Sequence, residues 1–596
     1  MKKRLVLLLS LLLALSVLLQ GCLMPFPSDR FDYLTEETTE PTKPTDRGEP
    51  AEADSYLPYD EFPRPEEAEL EPVAFEDMEY TRPDAAALCK ALGELEKLVK
   101  NGGSFDEVGA AFEAAYSDYS LFNTMDSLSY IRHTIDLNDE YYETENNWCE
   151  EQSPLIEQAL EKCYIAMGQS DLRDRLEEEY FTEGFFDFYD ENQIYSNDRV
   201  VKLMQKDNDL QAQYMALQSD QTIEWNGEEV LYEDIVGDES LDYDSYLRAY
   251  QLYYDKYNPQ VGEIFAEMIR TRNEIAKELG YDTFADFAYS YYYDRDYTPE
   301  EAEDYLSDIA AELAPMYFYA VYGAQSTTPC STDEVLDLFE KTVYRFGGEF
   351  ATSYEFMQAY DLMDITDSSS KMPGSYVTYL SSYQMPFLYV SPTGKLDDLL
   401  TCCHEFGHFV DGFVNCNGTS SIDCNEIFSQ GLEFLSLSRA ELDDDEREAL
   451  TISKVADSLL TFVSQAAYAE FELRAYALPD DQLNTEGLNA LFLECMEEFG
   501  QSYTGMEDII APGWIDIQHF LIAPYYVISY CVSNDAALQI FQLEEENGTG
   551  LETYRALMST SSGNTILALL EENGMESPFE PGRVEELADF FEDYLS

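Results

Sequence analysis

Positive charge is scarce in this chain. Against 120 Asp and Glu stand only 34 Lys and Arg, which gives a formal net charge of −86 over 596 residues. A surface this acidic cannot displace counterions from phosphates, so a nucleic-acid partner is excluded. Histidine is scarcer still, with four in the whole sequence. The 11 cysteines are scattered without a CxxC pair, which excludes a disulfide framework or a cysteine zinc site. Cys416 and Cys424 bracket one loop, where a bridge and two buried thiols are equally open. Apolar residues are not lacking. At 45% hydrophobic and 14% aromatic, the chain can bury several sizeable cores, and disorder is excluded for the whole.

Long apolar runs are absent after residue 19, so no later segment is suited to span a bilayer of ~20 residues. The one run, Leu5 to Leu19, follows Lys2-Lys3-Arg4 and ends Leu19-Gln20-Gly21-Cys22. It fits a secretory signal over residues 1–21, and its end resembles a bacterial lipobox, in which Cys22 would carry lipid. An uncleaved anchor helix is the second reading. Both expectations place the protein outside the cytoplasm, lipid-anchored or otherwise tethered to the cell membrane. Loss of the three-charge basic head would leave −86 − 3 = −89. Such a field attracts cationic peptides, although solubility is the simpler explanation of the acidity. Residues 22–80, rich in Thr, Pro, Glu and Asp, read as a solvated linker.

From Pro83 onward helical periodicity dominates, beginning with the stripe Leu88, Leu92, Leu95 and Leu98. Thr298-Pro299-Glu300-Glu301 reads as a helix start, with Thr as N-cap, Pro at the first position and Glu at the third. The clearest strand is Pro386 to Val390, followed by the turn Pro392-Thr393-Gly394. Its edge is a candidate for pairing with an extended peptide. The expected fold is mainly α, a large helical body with a small β-sheet. The expected organisation is an N-terminal helical domain over 81–265 and a catalytic domain over 266–596.

His404-Glu405-Phe406-Gly407-His408 is an HExxH in helical surroundings. Residues four apart share a helix face, so both imidazoles can meet one metal with Glu405 alongside as a general base. With so few histidines, chance yields on the order of 0.003 occurrences. A third ligand must follow, and Glu426 and Glu433 are the candidates. They lie ~10 Å apart along a helix axis, so both cannot bind one ion. Glu426 suits a compact helix–loop–helix, and Glu433 then supports a ligand, lines the channel or remains the fallback ligand. His519 is followed at offsets of 7 and 11 by Tyr526 and Tyr530. On a continuous helix all three share one azimuth and can donate to a developing oxyanion. Tyr525 is the substitute for Tyr526 if the register shifts.

These residues resemble the zinc oligopeptidase family of thimet oligopeptidase and oligoendopeptidase F. The likeness runs through Arg272-Asn273-Glu274-Ile275-Ala276-Lys277-Glu278-Leu279-Gly280-Tyr281, Pro373-Gly374-Ser375-Tyr376, Gly394-Lys395-Leu396-Asp397-Asp398 and the HExxH. It continues through Glu426 with Ser429-Gln430 and Leu432-Glu433, Pro524 to Tyr530, and Gly574-Met575-Glu576-Ser577-Pro578. It implies one Zn²⁺ held by His404, His408 and Glu426, with Glu405, His519, Tyr526 and Tyr530 as catalytic residues. It also implies a deep channel between two helical halves and hydrolysis of short peptides. A catalytically silent peptide-binding lipoprotein of the same fold is the reading from another class.

Overall fold

The computed structural model describes residues 56–595, apart from 65–67, 69, 182–184, 187–196, 219–220, 237–240, 324–327, 369, 417–420 and 562. The signal segment, Cys22 and the first part of the linker therefore lie outside the described residues. Among the described residues, no helix is long and apolar enough to cross a membrane.

The fold is mainly helical, as the periodicity predicts. Helix α1 (Ala85–Lys100) buries Leu88, Leu92, Leu95 and Val99, so the stripe turns to Val99 where the sequence suggested Leu98. Helix α2 (Phe105–Ile135) starts at a capping box between Ser104 and Glu107. With α3 (Glu140–Gly168) and α4 (Arg173–Tyr180), these helices enclose a small core of their own, from Ala85 to Phe186. The second half of α2 leaves that core: Met125, Leu128 and Ile131 belong to the large core of the remaining chain. One helix thus joins the two parts.

The large core begins with α5 (Asp198–Gln218), the hairpin β1 (Thr222–Trp225) and β2 (Glu228–Leu231), and the long helix α6 (Tyr243–Leu279). The border expected between 265 and 266 falls inside α6, where Phe265 and Ala266 are both buried. The helix stops at Gly280, whose φ of 91° is the left-handed conformation that glycine supplies at a C-terminus. Helix α7 (Pro299–Glu312) opens with the expected Thr298–Glu301 box and Pro at its start.

Helices α8 (Thr332–Phe346) and α9 (Gly348–Ala359) lead into a three-stranded sheet. Its strands are β3 (Met363–Ile365), β4 (Ser375–Leu380) and β5 (Met385–Val390), in the order β3-β5-β4. Strand β5 is therefore central, parallel to β3 and antiparallel to β4. All six of its residues are buried. The expectation that an extended peptide adds to Pro386–Val390 is corrected, because both edges of β5 are already paired.

Helices α10 (Asp398–Val414), α11 (Ile422–Arg439) and α12 (Asp444–Tyr476) follow. The single turn α13 (His519–Ile522) and the helix α14 (Ile528–Asn547) come next. Cys416 and Cys424, at the α10–α11 connection, are buried thiols and not a disulfide.

The linker also needs correction. From Tyr56 onward it is not a solvated spacer but a strap lying on the part that carries the HExxH helix. Tyr59 packs edge-on against Phe356 and Tyr360, and Phe62 against Phe413. Arg64 donates from Nε to the carbonyl of Phe413 at 3.0 Å and from its guanidinium to the carbonyl of Gln384. Phe413 lies in the last turn of α10, where helix carbonyls lack partners within the helix. The aromatic residues dispersed among Pro and Glu anchor a segment whose composition alone suggests solvation.

Arg64→Ala should reduce stability by about 1.5–3 kcal/mol, the range for hydrogen bonds to a charged group. A chain starting at Thr81 should melt below one starting at Tyr56. Coincident thermal melts of the two chains would contradict the strap.

Candidate metal centre

The site is built where α10 and α11 touch. Before α10, the Asp398 carboxylate accepts from the backbone N–H groups of Thr393, Gly394 and Lys395 at 2.8–3.1 Å, folding the expected turn under the helix start. Within α10, Gly407 permits the contact with α11. A Cβ there would lie 2.3 Å from the Phe428 carbonyl oxygen and 2.8 Å from Ser429 Cα, both backbone atoms. The glycine between the two histidines thus brings Glu426 opposite them.

His404 Nε2 and His408 Nε2 lie 3.7 and 3.8 Å from Glu426 Oε2. The three ligand atoms are all within 4.8 Å of one another. Tetrahedral Zn²⁺, with bonds of ~2.0–2.1 Å, needs ligand atoms ~3.4 Å apart, a spacing that small side-chain rotations reach from here. Two imidazoles and one carboxylate are a donor set suited to that ion, and they leave a position open.

The surroundings orient these donors. Ser429 Oγ donates to Glu426 Oε2 at 2.9 Å, and the Tyr526 hydroxyl donates to Glu426 Oε1 at 3.2 Å. Behind His404, Glu433 Oε1 is 2.8 Å from Nδ1, and Lys454 Nζ is 2.7 Å from Glu433 Oε2. Burial opposes ionisation of Glu433, but Lys454 and His404 outweigh it and hold its pKa below the usual range. An ionised carboxylate only accepts, so His404 holds a proton on Nδ1, which leaves Nε2 as the nitrogen that would meet a metal. Glu433 is thus a partner of His404, on the far side from Glu426.

Glu405 is 1% exposed, and neither carboxylate oxygen has a hydrogen-bond partner. Burial pushes its pKa up to about 7 against a downward pull from His404. His519 is buried with Nε2 unpartnered. Burial pulls its pKa down to about 4, although the Glu426 charge draws it upward, so the ring is neutral at pH 7. Its ring centroid is 5.4 Å from that of Tyr526 and 6.1 Å from that of Tyr530.

The three rings meet, but not on a continuous helix. The turn α13 ends at Ile522, Tyr525 has a φ of 66°, and α14 begins at Ile528. The bend at Pro524-Tyr525 replaces the azimuth argument. It sends Tyr526 to Glu426, while Tyr525 packs against Phe284, Tyr289 and Tyr476. The structure therefore brings together His404, His408, Glu426, Glu405, His519, Tyr526 and Tyr530. Lys454 was missed from sequence. Its signal was weak, a lysine on a helix with Val455, Ala456, Leu459 and Leu460 buried around it.

Comparisons with known proteins agree with this arrangement. Residues 75–193 match the Peptidase M3 N-terminal domain, and residues 353–588 match Peptidase family M3. Oligopeptidase PepF of Bacillus subtilis is 22% identical over 299 residues, 48% of this chain and 44% of that protein. The chromosomal oligoendopeptidase F of Lactococcus lactis subsp. cremoris is 29% identical over 206 residues, 32% of this chain and 33% of that protein. The aligned stretches thus span less than half the length of these curated relatives. Among solved structures, PZ peptidase A with inhibitor 2 superposes with a TM-score of 0.75 at 22% identity, covering 87% of this chain and 99% of that one. Oligoendopeptidase-F from Enterococcus faecium gives a TM-score of 0.53 at 18% identity, covering 86% and 97%. At these identities the superpositions establish the shared fold.

The close contact at Gly407 is directly testable. Gly407→Ala should force α10 and α11 apart, costing about 1–3 kcal/mol of stability. Metal affinity should fall with it, read by competition with a chromogenic chelator. Unchanged affinity would contradict the role given to this contact.

Proposed function

The chain belongs to peptidase family M3, and from that premise we propose that it is a zinc-dependent endopeptidase of short peptides, tethered by lipid outside the cytoplasmic membrane. The observation that carries this reading is the convergence of His404, His408 and Glu426 beside Glu405, a buried carboxylate without a hydrogen-bond partner. Zinc held by the three ligands would polarise the scissile carbonyl and bring the pKa of a water toward ~7.

The protein's own groups complete the reaction. Glu405 takes a proton from the attacking water and returns it to the leaving amine nitrogen. His519, neutral through burial, donates from Nε2 to the developing oxyanion, together with Tyr526 or Tyr530. Each such donor is typically worth ~3 kcal/mol in the transition state. Glu433 and Lys454 keep His404 in the tautomer that leaves Nε2 for the metal. The deep channel between two helical halves that the family resemblance implies would admit extended peptides and exclude folded proteins. With β5 enclosed, the edge strand β4 is our candidate for backbone pairing. Its first residue, Ser375, approaches the Glu405 carboxylate closely enough to draw its pKa down, short of a hydrogen bond of normal geometry, so a peptide paired there would lie beside the base.

The remaining parts of the reading concern the surroundings of the enzyme. The signal-like N-terminus and Cys22 support a lipid anchor, and the strong acidity supports a preference for cationic peptides.

Glu405→Gln should keep one zinc per chain and lose nearly all turnover of a short peptide. Substantial residual turnover would remove Glu405 from its role. If the acidic field steers substrates, kcat/KM for a cationic peptide should fall as salt rises while that for a neutral peptide holds. Equal salt responses would leave the acidity to solubility alone.

A further inference from the structure

The segment around residues 519–530 carries three of the proposed catalytic side chains, yet little regular structure holds it. A non-glycine residue in the left-handed region, as Tyr525 is, costs of order ~1 kcal/mol and persists only where its surroundings over-determine it. Side chains from distant helices supply those fixings. Arg272 on α6 donates to the carbonyls of Phe520, at 3.2 Å, and Leu521, and is itself held by Asp207. Tyr293 donates to the Pro524 carbonyl at 2.8 Å. Glu472 on α12 accepts from the Tyr525 N–H at 2.8 Å.

Arg295 closes the set. Its side chain and that of Asp423 are both 0% exposed. Arg295 Nε lies 3.2 Å from Asp423 Oδ2, and Nη2 donates to the Tyr525 carbonyl at 2.9 Å and to Ser529 Oγ at 3.0 Å. The guanidinium also lies 4.4 Å from the ring centroids of Tyr289 and Tyr293. Asp423 belongs to α11, three residues before Glu426. It accepts from Ser529 Oγ, and its backbone carbonyl accepts from Ser533 Oγ at 2.7 Å.

We propose that Arg295 is a positioning residue: through Asp423 and the Tyr525 carbonyl, it locks the His519–Tyr526 segment to the helix that carries Glu426. The inference rests on the function proposed above, which gives His519 and Tyr526 their roles. With the Tyr525 N–H held by Glu472 and its carbonyl by Arg295, the peptide planes on both sides of that residue are fixed. Tyr525 then turns away from the site and Tyr526 turns into it. Arg295 touches neither the metal ligands nor the reacting atoms, so its effect passes through this segment and its link to Asp423.

The test uses Arg295→Lys in the full chain, loaded with zinc, beside the unaltered chain. Lysine keeps a charge opposite Asp423 but cannot fork between the carboxylate, the carbonyl and Ser529. Zinc should remain at one per chain and KM should stay within about twofold, while kcat falls about tenfold or more. The Ki of a phosphinic peptide, a tetrahedral mimic, should rise by the same factor. A lower melting midpoint with unchanged kcat per zinc-loaded chain and unchanged Ki would overturn the proposal. If the lysine variant does not fold, Ser529→Ala removes one link and should lower kcat and mimic affinity together by a few-fold. No change in either would again overturn it. An unaltered chain that binds zinc but cuts no peptide would fail the functional reading itself, and this inference with it.

Discussion

The site depends on the backbone contact between α10 and α11 at Gly407. Without a side chain there, the Phe428 carbonyl and Ser429 Cα come into direct contact with the HExxH helix. Glu426 lies within a turn of that contact, and so reaches the two imidazoles. The same approach lets Glu433, two turns further along α11, stand behind His404. One helix thus presents a ligand and the group that orients another ligand, at the separation that prevents them from binding the same ion. The strap from Tyr56 to Arg64 acts on the far end of α10, where Arg64 bonds the Phe413 carbonyl.

Much of this was legible in the sequence because it is local. The HExxH spacing, the Thr298–Glu301 helix start and the turn before α10 follow from interactions within a few residues. Glu426 and Glu433 could be separated by helix rise alone. What was not legible depends on distant partners. Strand β5 is a good strand by composition, but its central place follows from β3 and β4, which the sequence marks faintly. The strap looks like a solvated linker until Tyr59, Phe62 and Arg64 find Phe356 and Phe413. His519, Tyr526 and Tyr530 were grouped by a helical offset and meet instead through a bend that Tyr525 adopts because Glu472 and Arg295 hold it.

The scarcity of positive charge acquires a structural meaning from these partners. Arg272, Lys371, Lys454 and Arg583 are each 5% exposed or less, and the Arg295 side chain is not exposed at all. A chain with 34 basic residues thus places several inside, where they pair with Asp207, Asp364, Glu433, Asp535 and Asp423. Buried pairs of this kind add little net stability, but losing one partner is costly because the other is left charged and unpaired. Their value here is geometric. Lys454 and Arg295 stand one step removed from the metal ligands and from the proposed oxyanion donors, respectively.

On the proposed reading, these converged side chains hydrolyse peptide bonds with a bound metal. The most direct measurement incubates the chain from Tyr56 with a mixed library of short peptides and one unfolded protein, with zinc and then with a chelator, and reads the cuts by mass spectrometry. On that reading, internal cuts are expected in the short peptides, vanishing with the chelator and returning when zinc is restored. A protein that binds one zinc per chain and leaves every peptide intact would contradict it and point to a peptide-binding lipoprotein of the same fold.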